Sequence, residues 1–259
     1  MRQPSAATSD VGARGDVDRV ADGLRAAGRV VVLTGAGISA ESGIPTFRDA
    51  QKGVWARFRP EDVASPEAFR RDPVLVWEWY RSRRTPVDAA KPNAGHRGLA
   101  TLETRRETVV ITQNVDGLHE AAGQRDVIEL HGAIRRARCT SCRAVRTWSP
   151  AESPFPPYCG CGSMLRPDIV WFGEMLPEAA LERAFEVTAT CDVFLSVGTS
   201  NLVQPAASLP WLAAERGALV AVVNVNMEGQ RRAANVIHLT GTACDVLARL
   251  VQLAFPESA

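Results

Sequence analysis

Five short apolar runs constrain this chain more than any other feature. They are Arg29-Val30-Val31-Val32-Leu33-Thr34, Val109-Val110-Ile111-Thr112, Val193-Phe194-Leu195-Ser196-Val197, Leu219-Val220-Ala221-Val222-Val223-Asn224 and Val236-Ile237-His238-Leu239. Each is short and rich in β-branched residues, and none alternates strictly between apolar and polar. Strands of this kind need cover on both faces. Helical stretches lie between several of them, among them Leu181 to Thr188 and Leu209 to Arg216. A helical spacing over Asp16 to Ala27 stops at Gly28, just before the first run. Strands that alternate with helices and are apolar throughout predict an α/β fold: a parallel sheet with helices on both faces.

With 259 residues, 46% of them apolar, the chain can build one large domain or a large one and a small one. Two segments break the strand–helix rhythm. Residues 46–95 hold tryptophans, prolines and arginines with no clear strand, and residues 132–170 hold four of the six cysteines. Both read as insertions that pack together as a smaller lobe. The core then falls to residues 16–45, 96–131 and 171–255. Residues 1–15, rich in Ser, Ala, Gly and Thr, read as a disordered tail.

Thirty Lys and Arg against 29 Asp and Glu give a formal net charge of +1. That balance speaks against tight nonspecific nucleic-acid binding, and no sequence-specific nucleic-acid partner is expected. Basic clusters remain at Arg81 to Arg84 and Arg135 to Arg138. No apolar run approaches the ~20 residues of a membrane helix. The N-terminus lacks the apolar core of a signal peptide. A cytoplasmic protein without a membrane partner is the simplest expectation.

In open parallel sheets, ligands sit beyond the carboxyl ends of the strands. The residues there are small and polar: Gly35-Ala36-Gly37-Ile38-Ser39 after the first run, Gln113-Asn114-Val115-Asp116 after the second, Gly198-Thr199-Ser200 after the third, and Asn224-Val225-Asn226 at the fourth. Any one of these could simply make a turn. Four on one sheet point to a shared ligand with phosphates and riboses, of dinucleotide size. The glycine spacing is not the common dinucleotide fingerprint, because the next glycine after Gly37 is Gly43.

Cys139-x2-Cys142 and Cys159-x-Cys161 are separated by 16 residues. Two close thiol pairs at this separation suit a tetrahedral zinc site, and four thiolates leave no open position, so the metal would be structural. Cys191 and Cys244 lie in apolar context and read as buried core residues.

Taken together, these stretches resemble the sirtuins, NAD-dependent protein-lysine deacylases. The resemblance runs, in the family's order, through Gly35-Ala36-Gly37-Ile38-Ser39, Gly43-Ile44-Pro45-Thr46-Phe47-Arg48, Gln113-Asn114-Val115-Asp116, Leu130-His131-Gly132, the four cysteines, Val170-Trp171-Phe172-Gly173-Glu174, Gly198-Thr199-Ser200 and Asn224-Val225-Asn226. It implies a Rossmann-like large domain with a smaller zinc-binding and helical lobe, and a cleft between them for NAD and an acyl-lysine peptide.

The resemblance also implies that NAD is consumed as a co-substrate. The acyl oxygen attacks C1′ of the nicotinamide ribose, nicotinamide leaves, and water finally gives free lysine and O-acyl-ADP-ribose. His131 matches the general base of that family, and Asn114 and Asp116 match the nicotinamide-ribose pocket. Gly35, Ala36, Gly37, Ser39 and Gln113 match the cofactor cradle. Ile44, Pro45 and Phe47 match the wall on the nicotinamide side, and Arg48 a fixed cation near the phosphates or ribose. Gly198, Thr199, Ser200, Asn224, Asn226 and Ala243 match contacts to the adenosine half. Val170 to Glu174 would pair with the substrate backbone as an added strand. His96, His119 and His238 lie outside the motif and read as structural.

Tyr80 and Arg83, in Trp77-Glu78-Trp79-Tyr80-Arg81-Ser82-Arg83-Arg84, lie three residues apart and would share a helix face. By themselves they read as part of a solvated basic face. The class III subgroup of the family carries a similar pair that binds the carboxylate of succinyl, malonyl or glutaryl lysine, and Ala50 matches the small residue that widens its acyl pocket. The resemblance therefore implies a desuccinylase and demalonylase, with deacetylation as a secondary activity. The alternatives are a mono-ADP-ribosyltransferase using the same pocket, or a noncatalytic NAD-sensing interaction protein.

Overall fold

The computed structural model describes residues 7–45, 59–228, 231 and 233–256, with side chains from Gly15 onward. The strands are β1 (Arg29–Thr34), β2 (Glu107–Thr112), β3 (Val127–Glu129), β4 (Gly132–Cys139), β5 (Val145–Thr147), β6 (Leu165–Ile169), β7 (Val193–Val197), β8 (Leu219–Asn224) and β9 (Val236–Thr240). The helices are α1 (Ala7–Ala26), α2 (Ala36–Ser39), α3 (Pro66–Arg71), α4 (Pro73–Ala89), α5 (Ala94–Arg105), α6 (Leu118–Ala121), α7 (Glu178–Ala189), α8 (Leu209–Glu215) and α9 (Ala243–Ala254).

The large sheet has the order β3-β2-β1-β7-β8-β9, and every pairing in it is parallel. Chain order reverses between β1 and β7, which makes the carboxyl ends of these two neighbours a topological switch point. All five apolar runs are strands of this sheet. Successive side chains of β1 point to opposite faces. Val30 and Val32 enter a cluster with Val20 and Leu24 of α1, Leu99 of α5 and Leu247 of α9. Val31 and Leu33 enter another with Ala184 of α7 and Leu209 and Ala213 of α8. Each large side chain so buried contributes about 1.5–3 kcal/mol of transfer free energy. That is why these runs carry no polar face.

Helix starts follow local chemistry. Ser65 accepts from Ala68 N with Pro66 at the first helical position, and Asp72 accepts from Leu75 N ahead of Pro73. Asn93 caps α5 and Thr242 caps α9. Such side-chain acceptors satisfy amides that the first turn leaves without partners.

Three sequence expectations shift. The helix of α1 begins at Ala7, inside the stretch read as a tail up to residue 15. Polar Thr8, Ser9 and Asp10 suit a helix N-terminus, and composition alone cannot distinguish that from a disordered leader. Strand β3 escapes notice because it is only three residues long. Strand β4 escapes because Arg135, Arg136 and Arg138 interrupt its apolar pattern.

Both insertions contribute to the same two clusters. Val63, Val76, Trp79 and Tyr80 from the first pack with Ile134 and Ile169 from the second, joined by Trp171. Trp77 packs with Ala137, Cys139, Trp148 and Leu165. Trp77 and Trp148 meet edge-on at 4.8 Å, and their indole N–H groups donate to Leu165 O and Ile134 O. The strands of the cysteine-bearing insertion form a separate antiparallel sheet, β5-β4-β6. The basic face of α4 is not simply solvated. Arg81 lies 3.6 Å over the Phe155 ring and donates to Pro150 O, while Arg84 covers Trp148 and donates to its carbonyl.

Candidate active site

The switch point is built by three close backbones. Gly35 N–H donates to Val197 O, and Gly37 N–H donates to Gly198 O. A Cβ on Gly35 would sit 2.8 Å from Gly198 O, and one on Gly37 would sit 2.7 Å from Gly198 Cα. Gly198 has φ +61°, and its Cβ would lie 2.5 Å from Ile38 N. The glycines are therefore required first by the packing of the β1 and β7 loops on each other. Helix α2 is a single turn beside them.

Side chains extend this junction across the strand ends. Gln113 Nε2 donates to Thr199 Oγ1 at 2.9 Å, and Asn224 Nδ2 donates to Thr199 O at 2.9 Å. Asn114 Nδ2 donates to Gly35 O at 3.0 Å and to Ser39 Oγ at 3.2 Å. Ser39 Oγ in turn donates to Asp116 Oδ2 at 2.7 Å, while Asp116 Oδ1 accepts Leu118 N–H at 2.9 Å. Asp116 is buried, so each carboxylate oxygen has the partner it needs. Ser39, from the turn after β1, thus meets Asn114 and Asp116, both from the loop after β2.

His131 follows β3, precedes β4 and is tied to the loop that carries Asn114 and Asp116. Its Nδ1 lies 2.9 Å from Gln113 O. A carbonyl can only accept, so Nδ1 carries the proton and Nε2 keeps its lone pair. Burial pushes the imidazole pKa below its ordinary value, against the opposing effect of the Gln113 bond. The ring is a neutral, oriented base near pH 7.

The remaining expected residues fall as follows. Ala36 lies in the α2 turn, and Ile44 packs against the Tyr80–Trp171 cluster while Pro45 is exposed. Phe47, Arg48 and Ala50 lie outside the described residues. Ser200 is exposed at the mouth of the β7 loop, and Asn226 Oδ1 accepts Glu228 N–H. Ala243 is buried at the start of α9. Tyr80 is buried on α4 with Arg83 one turn on, and burial holds the Tyr80 hydroxyl above the usual phenol range.

Val170 to Glu174 form a loop whose amides serve the fold. Val170 N–H donates to His131 O, and Phe172 N–H donates to Ala64 O. Trp171 N–H donates to Glu174 Oε2, and Gly173 has φ +83°. Glu174 also takes Arg166 through two bonds of 2.6 and 2.9 Å. Its carboxylate is thus tied inside the loop.

Sequence reasoning missed other residues. Thr34 Oγ1 donates to Thr112 Oγ1, which accepts Asn114 N–H, and Thr34 Oγ1 also meets His119 Nε2 at 2.9 Å. Asn93 Nδ2 donates to Ile38 O and Ser42 Oγ, tying α5 to the turn that follows β1. Its position just ahead of a helix was the available signal. Arg135 donates to Asp116 O and Val87 O and pairs with Asp88, which links β4, α4 and the site. Its place in the Arg135 to Arg138 basic cluster marks a charge but not this partner.

The four cysteine sulfurs of Cys139, Cys142, Cys159 and Cys161 lie within 4.8 Å of one another. Tetrahedral Zn–S bonds of ~2.3 Å put sulfurs about 3.8 Å apart. Cys139 Sγ to Cys161 Sγ is 3.5 Å, and Cys142 Sγ to Cys159 Sγ is 3.7 Å. The donor set fits a structural zinc ion. Cys191 is buried as expected, but Cys244 is only half-buried, because it occupies the first turn of α9 with its N–H donated to Glu41 Oε2.

The chain matches the Sir2 family over residues 35–205. It is 50% identical over 244 residues to the NAD-dependent protein deacylase 1 of Pseudomonas aeruginosa, covering 90% of this chain and 97% of that protein. It is 50% identical over 235 residues to the NAD-dependent protein deacylase 2 of Pyrobaculum aerophilum, covering 90% and 94%. Among solved structures, a Sir2 homologue–NAD complex superposes with a TM-score of 0.85 at 44% identity, covering 92% of this chain and 93% of that one. Sir2Af2 bound to a myristoylated histone peptide superposes at 0.74 and 34% identity, covering 93% and 97%. With a family match from the first glycine turn to beyond the β7 loop, and half-identical relatives over nine-tenths of its length, this chain belongs to the Sir2 family.

Proposed function

We propose that this protein is an NAD-dependent protein-lysine deacylase. The observation that carries the reading is the convergence of Ser39, Asn114, Asp116 and a neutral, oriented His131 at the switch point of a Sir2-family sheet. NAD, when bound, supplies an electrophilic ribose carbon and a nicotinamide leaving group. The chain supplies the rest. Gly35 to Ser39 and Gly198 to Ser200 line the cofactor cradle, with Gln113, Asn224, Asn226 and Ala243 around its adenosine side. Asn114 and Asp116 fix the nicotinamide-ribose end. His131 takes a proton at Nε2 from a ribose hydroxyl. By the family resemblance, Ile44, Pro45, Phe47 and Arg48 would serve the nicotinamide and ribose side. Cys139, Cys142, Cys159 and Cys161 hold the zinc, whose closed thiolate shell leaves it a structural role.

The acyl class we assign is acidic: succinyl, malonyl or glutaryl lysine, with acetyl lysine secondary. Supporting this, Arg83 follows the buried Tyr80 by one turn of α4 and lies 4.9 Å over the Trp79 ring, while Arg81 and Arg84 donate to carbonyls of the cysteine-bearing insertion. A planar guanidinium and a phenol together suit a carboxylate. Burial pushes the Arg83 pKa down, which makes a desolvated anion a fitting partner.

We assign residues 16–45, 96–131 and 171–255 to the cofactor domain and 46–95 with 132–170 to the small domain, on the strength of the two shared clusters. Among the described residues no helix is long and apolar enough to cross a membrane. A gathered set of four thiols suits a reducing compartment such as the cytoplasm. Acyl-lysine proteins or peptides are the partners assigned. Related solved complexes hold a myristoylated histone peptide and a deacetylated p53 peptide.

The test is incubation of zinc-loaded protein with NAD and matched acetyl- and succinyl-lysine peptides, followed by mass measurement. Free lysine, nicotinamide and O-acyl-ADP-ribose are expected. If neither peptide loses its acyl group, the deacylase reading fails. If Arg83→Met weakens deacetylation as much as desuccinylation, the acyl assignment fails.

A further inference from the structure

The Tyr80 hydroxyl is held from one side by a donor. Trp171 Nε1 donates to Tyr80 Oη at 2.9 Å, and each residue is only 3% exposed. An indole N–H cannot accept, so the phenol oxygen accepts here and its own proton points elsewhere. Arg83 is near enough that its charge lowers the phenol pKa, while Tyr80 raises that of the guanidinium. A guanidinium carries donors and no acceptor, so it cannot take the phenol proton. Desolvation keeps that proton on Tyr80 throughout the working pH range. The pair offers donors only.

Trp171 is itself fixed. The Arg166 guanidinium lies 3.5 Å over its ring, and Phe69 packs beside it with centroids 5.2 Å apart. Glu174 holds Arg166 through two bonds and also accepts Trp171 N–H. Rotating the indole would break the cation–π contact and the Tyr80 bond together.

We infer that Trp171 is a specificity-determining positioning residue: by occupying the acceptor side of Tyr80 it leaves the phenol, with Arg83, as a donor pair for an anionic acyl terminus. This rests on the acidic-acyl reading above and deepens it. A phenol by itself can face a donor or an acceptor, so it does not by itself choose an acid. With its oxygen already accepting from Trp171, the phenol meets a ligand best through its O–H, which calls for an acceptor. A carboxylate accepts that hydrogen bond, whereas a methyl group cannot.

The experiment measures kcat/KM on succinyl and acetyl peptides of one sequence, using the full zinc-loaded chain with NAD. Backbone contacts common to both peptides cancel in the ratio. Trp171→Phe removes the N–H and keeps a ring; the succinyl-to-acetyl ratio is expected to fall about tenfold, chiefly through the KM for succinyl peptide. Tyr80→Phe is expected to lower the same ratio, and the double variant to fall no further than Tyr80→Phe, since both act through one hydroxyl. A ratio within about twofold of the unmutated chain in Trp171→Phe, or two effects that multiply in the double variant, overturns the inference. Should Trp171→Phe fail to fold, Glu174→Gln loosens Arg166 with the indole in place and is expected to lower the ratio more modestly. An unchanged ratio there overturns the inference as well. If the unmutated chain prefers acetyl peptide, the acidic-acyl reading falls and this inference with it. If it prefers succinyl peptide and the variants do not respond, this inference alone falls.

Discussion

The imidazole Nδ1 of His131 and the carbonyl oxygen of Gln113 are 2.9 Å apart, so the loop after β2 sets the tautomer of the base we propose. Burial lowers the pKa of that ring below its usual 6.5. A base works in its neutral form, so activity is lost only as pH falls through the lowered value. The acid limb of the kcat/KM profile is therefore expected below pH 6.5, with little change from pH 7 to 8 on that account. A pH–rate profile checks this, and an acid limb above 6.5 counts against the assignment. His131→Ala should cost about 10²–10⁴ in rate if the ring is the general base.

The His96 and His119 rings meet at a tilt in the interior, with centroids 5.0 Å apart. Burial holds their pKa values at about 4 and about 3, despite Asp116 favouring the charged form of His96. In the unfolded chain both titrate near 6.5. Between the folded and unfolded values the unfolded state binds more protons, so stability falls as pH drops below 6.5. The loss is on the order of 2 kcal/mol per histidine by pH 5. Urea midpoints at pH 7.5 and pH 5 measure it, and His119→Asn should reduce the pH slope by about one histidine's share.

The four sulfurs are spaced for zinc, and Cys139 sits in the cluster that buries Trp77 and Trp148. One zinc per chain is expected by elemental analysis. Cys142→Ser, or prolonged chelation, should release it and lower the melting temperature by about 10 °C or more. An undiminished melt after metal removal contradicts a structural site.

Gly198 and Gly43 both have positive φ, +61° and +81°, but only Gly198 is crowded. Alanine at Gly43 meets nothing within 4 Å and should cost about 1–2 kcal/mol of left-handed strain. Alanine at Gly198 adds a 2.5 Å approach to Ile38 N and should cost on the order of 3 kcal/mol or more, with weaker NAD binding. Equilibrium unfolding of the two variants side by side tests the difference. Equal costs mean that the packing of the β1 and β7 loops does not set the requirement.

The large sheet was legible because its strands are long enough to show a pattern and are apolar on both faces. The clustered cysteines were legible because metal ligands at short spacing are local in sequence. Strand β3, with three residues, and β4, broken by Arg135, Arg136 and Arg138, were not. Those arginines pair with Asp88, Glu129 and Asp168, residues distant or unremarkable in the chain. Composition also hid the early start of α1 at Ala7.

Residue order alone determined the parallel sheet, the thiol set and the loops that end the strands, because periodicity, ligand spacing and turn chemistry act over a few residues. Tertiary structure decided how those pieces are used. It showed that Gly35, Gly37 and Gly198 answer first to each other, that Glu174 serves Arg166, and that Tyr80 is held by Trp171, 91 residues away. Such assignments depend on which distant groups share a desolvated space, where every donor and acceptor must be matched, and no local pattern carries that information.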